Sequence, residues 1–299
     1  MGRAFSLEDE RGSLSSRTDH FALGRSGTGQ TDSKHARTTQ SRVSAFPDFR
    51  SPRAREVPDR SHEVNATQAK AMADVGMFRT VALTDLTHVQ YGGNEKQAIE
   101  EVNNLLRQKL VRRSVIHPDR AIYLTLTPEG HRYLQARNER DGDAPQALYH
   151  GFVKPREIEH DAAIYRLYQK EAANIAASGG KVTRVVLDFE LKQSINRRLA
   201  KLSSMSGIEQ AQRKSEVANE HSLTVVKGRI QIPDLRLEYE DQDHNPAKVD
   251  LELATGHYRQ WSLAAKTGAG FKIYASPSDA ARLRPAIADP EIMQEIFSL

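Results

Sequence analysis

The spacing of apolar and polar residues divides the chain into parts. Residues 1–62 are rich in Ser, Thr, Gly, Arg and Asp and show neither helix nor strand periodicity. Residues 63–140 show helical apolar spacing followed by two β-prone runs, and residues 155–299 mix helices with strands. We therefore predict a disordered basic arm (1–62), a first folded domain (63–140), a linker (141–154) and a second domain of α/β (α+β) class (155–299).

The first domain has one strongly amphipathic helix. Asn94 is a typical N-cap residue, and the apolar residues that follow it lie on one face of a helix from Glu95 to about Leu110. Two shorter helices precede it, Thr67–Met77 and a segment capped by Thr80 that runs to Leu86. Behind it the sequence predicts strands Val111–Ile116 and Ala121–Thr127 and a helix that begins at Pro128.

The second domain is predicted to contain a helix, three strands, a helix and a strand, with an insertion. Apolar runs and turn signals set these limits. The predicted elements are helix Glu157–Ala177, strand Val182–Leu191, a polar and partly helical insertion Lys192–Glu220, strands Arg229–Tyr239 and Lys248–Ala254, helix His257–Lys266, strand Phe271–Ala275 and a helical tail after Pro277.

Composition narrows the classes of function. The net charge of +4 and the pI near 9.2 permit nucleic-acid binding without requiring it. The absence of cysteine excludes a disulfide scaffold, a thiolate zinc site and a thiol nucleophile. No apolar run is long enough for a membrane helix, and the first residues lack a signal-peptide core, so a cytoplasmic protein is expected.

Residues 63–140 resemble a winged helix-turn-helix domain. The order of helices, hairpin and closing helix carries the resemblance, together with the segment LTPEGHRYL at residues 126–134. The resemblance implies that the polar face of the third helix enters the major groove while wing cations contact phosphates. The residues expected to bind double-stranded DNA are Lys96, Gln97, Asn103, Asn104 and Arg107 on the helix, Arg112, Arg113 and Arg120 in the wing, and Arg197 and Arg198 in the basic cluster of the insertion. The alternative is a domain for dimerisation or protein contact.

Acidic residues on adjacent predicted strands are candidate metal ligands. Pro233-Asp234 and Asp250-Leu251-Glu252 resemble the PD-(D/E)XK nuclease core, in which two carboxylates hold Mg²⁺ or Mn²⁺. Asp250 shares a strand face with Glu252 and is expected to assist. The lysine usual two residues after the acid is replaced by Ala254, and Lys266 on the next helix is the expected substitute.

Each of these residues also has a structural interpretation. Asp234 and Glu252 at strand ends would then face solvent or pair with Arg236 and Lys248. His160 is either part of the site or a hydrogen-bonded helix histidine. Tyr258 and Tyr274 are expected to pack in the core.

The whole pattern, with Glu159-His160-Asp161 on the first helix and Tyr274 on the last strand, resembles the replication-relaxation family, which includes MobC-type plasmid relaxases. The resemblance implies a mobile-element protein that binds a plasmid origin and nicks it with a restriction-endonuclease-like site. Single-stranded origin DNA and a homodimer are further possible partners. The alternatives are a non-catalytic DNA-binding accessory protein or repressor, and an adaptor without a nucleic-acid role.

Overall fold

The computed structural model describes residues 62–116, 120–141, 146–151, 153–200, 206–286 and 296–299. The arm predicted to be disordered lies outside these residues except for His62. Residues from Arg60 onward form one compact unit. The described part is a mixed α/β structure, which agrees with the predicted class.

The N-terminal segment, residues 62–141, contains four helices around a small sheet. Strand β1 pairs antiparallel with β3, and β3 pairs antiparallel with β2, so the strand order is β1-β3-β2. Its elements are α1 (Ala66–Met77), β1 (Val81–Ala82), α2 (Leu83–Tyr91), α3 (Glu95–Arg107), β2 (Val111–Ile116), β3 (Ala121–Leu126) and α4 (Pro128–Asp141).

Local sequence signals set several of these limits. The Asn94 side chain accepts a hydrogen bond from the Gln97 backbone N–H, which confirms the predicted cap of α3. The prediction that Thr80 caps a helix was wrong, because Val81 and Ala82 pair with β3 and α2 begins only at Leu83. Tertiary pairing overrides the local cap there.

The C-terminal segment, residues 153–299, is built on a five-stranded mixed sheet. The strand order is β10-β9-β8-β7-β4, with antiparallel pairs β4/β7 and β7/β8 and parallel pairs β8/β9 and β9/β10. A separate hairpin joins β5 to β6. The elements are α5 (Pro155–Ala177), β4 (Lys181–Leu187), α6 (Asp188–Arg198), α7 (Gly207–Glu220), β5 (Val225–Val226), β6 (Arg229–Ile230), β7 (Leu235–Glu240), β8 (Pro246–Leu253), α8 (Gln260–Thr267), β9 (Lys272–Ala275), α9 (Pro277–Leu283), a 3-10 turn (Arg284–Ala286) and β10 (Ile296–Ser298).

Several predictions in this segment were wrong. The strand predicted for Val182–Leu191 ends at Leu187, where α6 begins. The long strand predicted for Arg229–Tyr239 is broken into β6 and β7. The tail after Pro277 was predicted to be helical, which is confirmed for α9 but wrong for Ile296–Ser298. These three residues form β10 because β9 lies beside them, and so short a run gives no periodic pattern in the sequence.

Helix α5 joins the two segments. The Phe78 ring of the N-terminal segment lies 5.2 Å from the Tyr165 ring of α5, and both side chains are buried. The Tyr165 hydroxyl donates to Asp74 at 2.7 Å. On its other side α5 packs against the large sheet, and residues of both segments belong to one continuous apolar core. The acidic residues at the ends of β7 and β8 therefore lie in the same compact unit as α3.

Candidate active site

Two carboxylates meet where β7 begins and β8 ends. Leu235 pairs with Leu251, which places Asp234 across from Glu252. The Asp234 backbone N–H donates to Glu252 Oε2 at 3.2 Å, and the Leu253 N–H donates to Asp234 Oδ2 at 3.0 Å. The structure thus brings together the two residues that the sequence proposed as a pair.

Helix α8 adds a cation to this pair. Lys266 Nζ lies 2.9 Å from Glu252 Oε1 and 3.0 Å from Oε2, and it donates to the Ile232 carbonyl oxygen at 2.6 Å. The predicted substitute lysine therefore reaches the acid from the following helix. Position 254, where the usual lysine would stand, is a fully buried alanine whose N–H donates to the Tyr274 carbonyl oxygen of β9.

Tyr258 is a site residue that the sequence assigned to the core. Its hydroxyl donates to Glu252 Oε1 at 2.6 Å. Burial and the neighbouring carboxylate of Glu252 raise the pKa of the Tyr258 hydroxyl, so it stays a proton donor in this contact. Tyr274 does lie in the core, 1% exposed, as expected.

Burial dominates the electrostatics of Glu252. The side chain is 1% exposed, and desolvation, followed by repulsion from Asp234, raises its pKa from 4.5 to about 7. Lys266 and the Tyr258 hydroxyl act in the opposite direction. A carboxyl group with this pKa changes charge close to neutral pH, which is a common property of functional acids.

His160 lies on α5 beside the pair. Its Nε2 is 3.7 Å from Asp234 Oδ2, and its Nδ1 is 3.5 Å from Asp161 Oδ1. The hydrogen bond with Asp161 and the nearby carboxylate of Asp234 raise the pKa of His160 to about 10. The imidazole is therefore a cation at neutral pH, which suits charge compensation better than proton abstraction.

Arg79 links the N-terminal segment to this region, a contact that the sequence did not indicate. Its guanidinium lies 3.1 Å from Asp161 Oδ2 and 3.6 Å from Glu157. Its backbone has φ +66°, in the turn between α1 and β1. The contact joins that turn to the helix that carries His160.

Asp250 has a different environment from the acid pair. Arg236 Nε donates to Asp250 Oδ1 at 2.6 Å and Arg236 Nη2 donates to Oδ2 at 2.8 Å, in a bidentate pair that is nearly buried. The predicted assisting role of Asp250 in metal binding would require this pair to open. Lys248 donates to the Ser222 carbonyl oxygen, so neither Arg236 nor Lys248 pairs with Asp234 or Glu252.

The donor set fits a hard divalent cation. Mg²⁺ is commonly held by one or two carboxylates, with water and substrate phosphate completing its shell. Asp234 and Glu252 supply two such carboxylates, provided that Glu252 releases Lys266. Among the described residues no group of three or more His, Asp and Glu side chains is arranged to hold a metal ion. Protein ligands alone would therefore not complete the shell.

A cavity of about 740 Å³ opens at the acid pair. Acidic, cationic and aromatic side chains line it together. Its lining includes Asp234, Glu252, Tyr258 and Lys266 from the site, and Lys192, Lys227, Arg229 and Trp261 around them. The sequence analysis missed Lys227 and Arg229, although the Lys227-Gly228 pair between β-prone residues is a turn signal.

The residues predicted to bind DNA are mostly on the surface. On α3 the side chains of Lys96, Gln97, Asn103 and Arg107 are exposed, and Asn104 is half-buried with a hydrogen bond from Gln108. On and near the hairpin Arg112, Arg113 and Arg120 are exposed. On α6 both Arg197 and Arg198 are exposed, and Arg198 lies 3.5 Å from Glu220.

No protein-family model and no curated protein matches this chain. Among solved structures it is similar to the crystal structure of Streptococcus pneumoniae FabT in complex with DNA. The identity is 18%, the TM-score is 0.24, and the match covers 39% of this chain and 82% of that one. In the part of the chain that the structure describes, every helix is too short or too polar to span a membrane.

Proposed function

We propose that this protein binds DNA and cleaves a phosphodiester bond with a metal-dependent site, in the replication or transfer of a plasmid or other mobile element. Asp234, Glu252 and Lys266 converge from three parts of the fold and line one cavity together with Lys192, Lys227 and Arg229, which supports the cleavage. A carboxylate pair with a nearby lysine is the arrangement that metal-assisted phosphodiester hydrolysis needs. The resemblance to the replication-relaxation family supplies the biological setting.

In this proposal Asp234 and Glu252 hold Mg²⁺ or Mn²⁺. When bound, the ion would supply Lewis-acid stabilisation of the phosphate and lower the pKa of a coordinated water. The Lys266 ammonium, once released from Glu252, faces the cavity and stabilises negative charge on the phosphate. The His160 cation offsets part of the charge of Asp234 and holds its carboxylate in place.

DNA docking is assigned to the N-terminal segment. Its order of three helices, a hairpin and a closing helix, and the exposed polar face of α3, support a winged helix-turn-helix that places α3 in the major groove. Arg112 and Arg113 are both exposed on β2, on opposite faces of the strand, and would contact phosphates. Cleavage of intracellular DNA would place the protein in the cytoplasm.

A second candidate function is that of a non-catalytic DNA-binding accessory protein or repressor. It is favoured by the hydrogen bonds that already occupy Glu252, from Lys266, Tyr258 and the Asp234 N–H. A carboxylate in this state is a structural ion-pair partner until a metal competes for it.

Plasmid nicking separates the two functions. A supercoiled plasmid that carries the origin of the mobile element encoding the protein is incubated with the protein and Mg²⁺, Mn²⁺ or EDTA. Asp234→Asn removes one ligand, and Glu240→Gln, at the far end of the same strand and exposed, is the matched control. Metal-dependent open circles with the wild type and the control, and none with Asp234→Asn, are expected. A mobility shift without nicking in any metal would instead support the accessory protein.

A further inference from the structure

The largest exposed aromatic side chain near the site is Trp261. It is 57% exposed, lies on the first turn of α8 and lines the cavity that contains Asp234 and Glu252. It is also the chain's single tryptophan. Neither a ring–ring contact nor a cation–π contact engages the indole within the described residues. An indole of this size leaves a large apolar surface in water unless a ligand covers it.

Two cations stand on the hairpin at the same cavity. Lys227 and Arg229 are exposed on either side of Gly228, whose φ of +73° allows the tight turn between β5 and β6. In the described ranges no acidic side chain pairs with either of them. Lys192 on α6, by contrast, is held by Asp188. The hairpin therefore presents two positive charges that are available to an anion.

These features discriminate between forms of DNA. In a duplex the faces of the bases are stacked on each other and an indole cannot reach them. A single strand exposes both its base faces and its phosphates, and proteins bind it with aromatic platforms beside cationic grooves. An exposed indole and unpaired cations in one cavity match that combination.

We propose that this cavity binds single-stranded DNA, with an unpaired base stacked on Trp261 and the adjacent phosphates at Lys227 and Arg229. The inference rests on the proposed function, since it names the substrate form that the acid pair acts on. The strand to be cut is then a melted one, and the duplex is held by the N-terminal segment.

The single tryptophan makes the test direct. The intrinsic fluorescence of the full chain, in EDTA so that cleavage is prevented, is titrated with a single-stranded oligonucleotide and with the same sequence as a duplex. Because stacking quenches indole emission, the single strand is expected to quench Trp261 and the duplex is expected to leave the emission unchanged.

Substitutions measure how much Trp261 contributes to the affinity for single-stranded DNA. Anisotropy of a labelled single strand is measured with Trp261→Ala, which lies on the surface and leaves the core intact. The matched control is Ile208→Ala, an exposed apolar residue on α7, 84% exposed and outside the cavity lining. We expect Trp261→Ala to weaken binding about 5-fold or more, the loss of one base stack, with Ile208→Ala unchanged. Trp261→Phe should retain most of the affinity.

Each outcome separates this inference from the proposed function. Equal affinity of Trp261→Ala and wild type for the single strand, or quenching by the duplex as strong as by the single strand, would overturn the inference even if metal-dependent nicking is found. Quenching by the single strand with a loss in Trp261→Ala supports it, and it does so whether or not any metal produces cleavage. Loss of nicking together with intact quenching would refute only the proposed catalysis.

Discussion

Removal of the Lys266 ammonium tests the electrostatics of the site. In Lys266→Met the aliphatic length is kept and the charge is lost. Glu252, which is 1% exposed, then keeps two hydrogen-bond donors, the hydroxyl of Tyr258 and the backbone N–H of Asp234. In the wild type the side chain of Lys266 is 15% exposed. Breaking a buried ion pair from one side costs about 3–5 kcal/mol, and the partial exposure of Lys266 places the expected loss near 3 kcal/mol at about pH 8.

The loss of stability in Lys266→Met should be larger at pH 8 than at pH 5. The pKa of Glu252 in the folded chain is about 7, above its usual 4.5, so the stability contributed by this group is complete below pH 4.5 and lost as the pH rises through 7. At pH 5 Glu252 carries a proton and Lys266 contacts a neutral carboxyl. The loss in Lys266→Met should therefore fall to about 1 kcal/mol at pH 5, the value of one hydrogen bond.

Urea unfolding followed by far-ultraviolet circular dichroism measures both values. The control is a double-mutant cycle with Glu252→Gln, in which the coupling free energy should be about 2 kcal/mol at pH 8 and near zero at pH 5. The same loss at both pH values, or a coupling below about 0.5 kcal/mol at pH 8, would refute a charge interaction between Glu252 and Lys266.

Three further predictions concern other parts of the chain. His160 should keep its proton beyond pH 8 in a nuclear magnetic resonance titration. The stability that the protonated His160 contributes to the folded chain should be complete below pH 6.5 and lost as the pH rises towards 10. A titration of His160 near pH 6.5 would contradict this. Gly130→Ala should lower the unfolding free energy by about 2 kcal/mol, because its Cβ would overlap the backbone carbonyl oxygen of Leu110, whereas Gly207→Ala, in open space, should not; equal thermal midpoints would argue against the clash. Arg112→Ala and Arg113→Ala should each reduce the slope of log affinity for duplex DNA against log salt by about 0.9; unchanged slopes would remove them from the phosphate contacts.

Much of the secondary structure could be read from the chain because its signals are local. The apolar stripe and Asn94 determined α3, and the limits of β2 were predicted to the residue. The errors arose where non-local pairing prevailed. Val81 and Ala82 form a strand only because β3 lies beside them, and β4 ends at Leu187 because that is the last residue with a partner on β7.

The candidate site could be predicted only as far as local signals reach. Alternation along a strand placed Asp250 and Glu252 on one face. The sequence could not show that Arg236 would pair with Asp250 and that Lys266 would pair with Glu252. That choice depends on which side chains the sheet register and α8 bring within hydrogen-bonding distance.

Residue types and their spacing along single elements were enough to predict a mixed α/β fold, the amphipathic helix and the short list of acids and cations that could carry chemistry. Which side chains contact each other depended on the packing of the folded chain. It buried Glu252 beside Asp234, which raises the pKa of Glu252, and it exposed Trp261 and the hairpin cations at the same cavity. Burial and charge pairing depend on residues far apart in the chain, and these meet only when the sheet, α5 and α8 pack together.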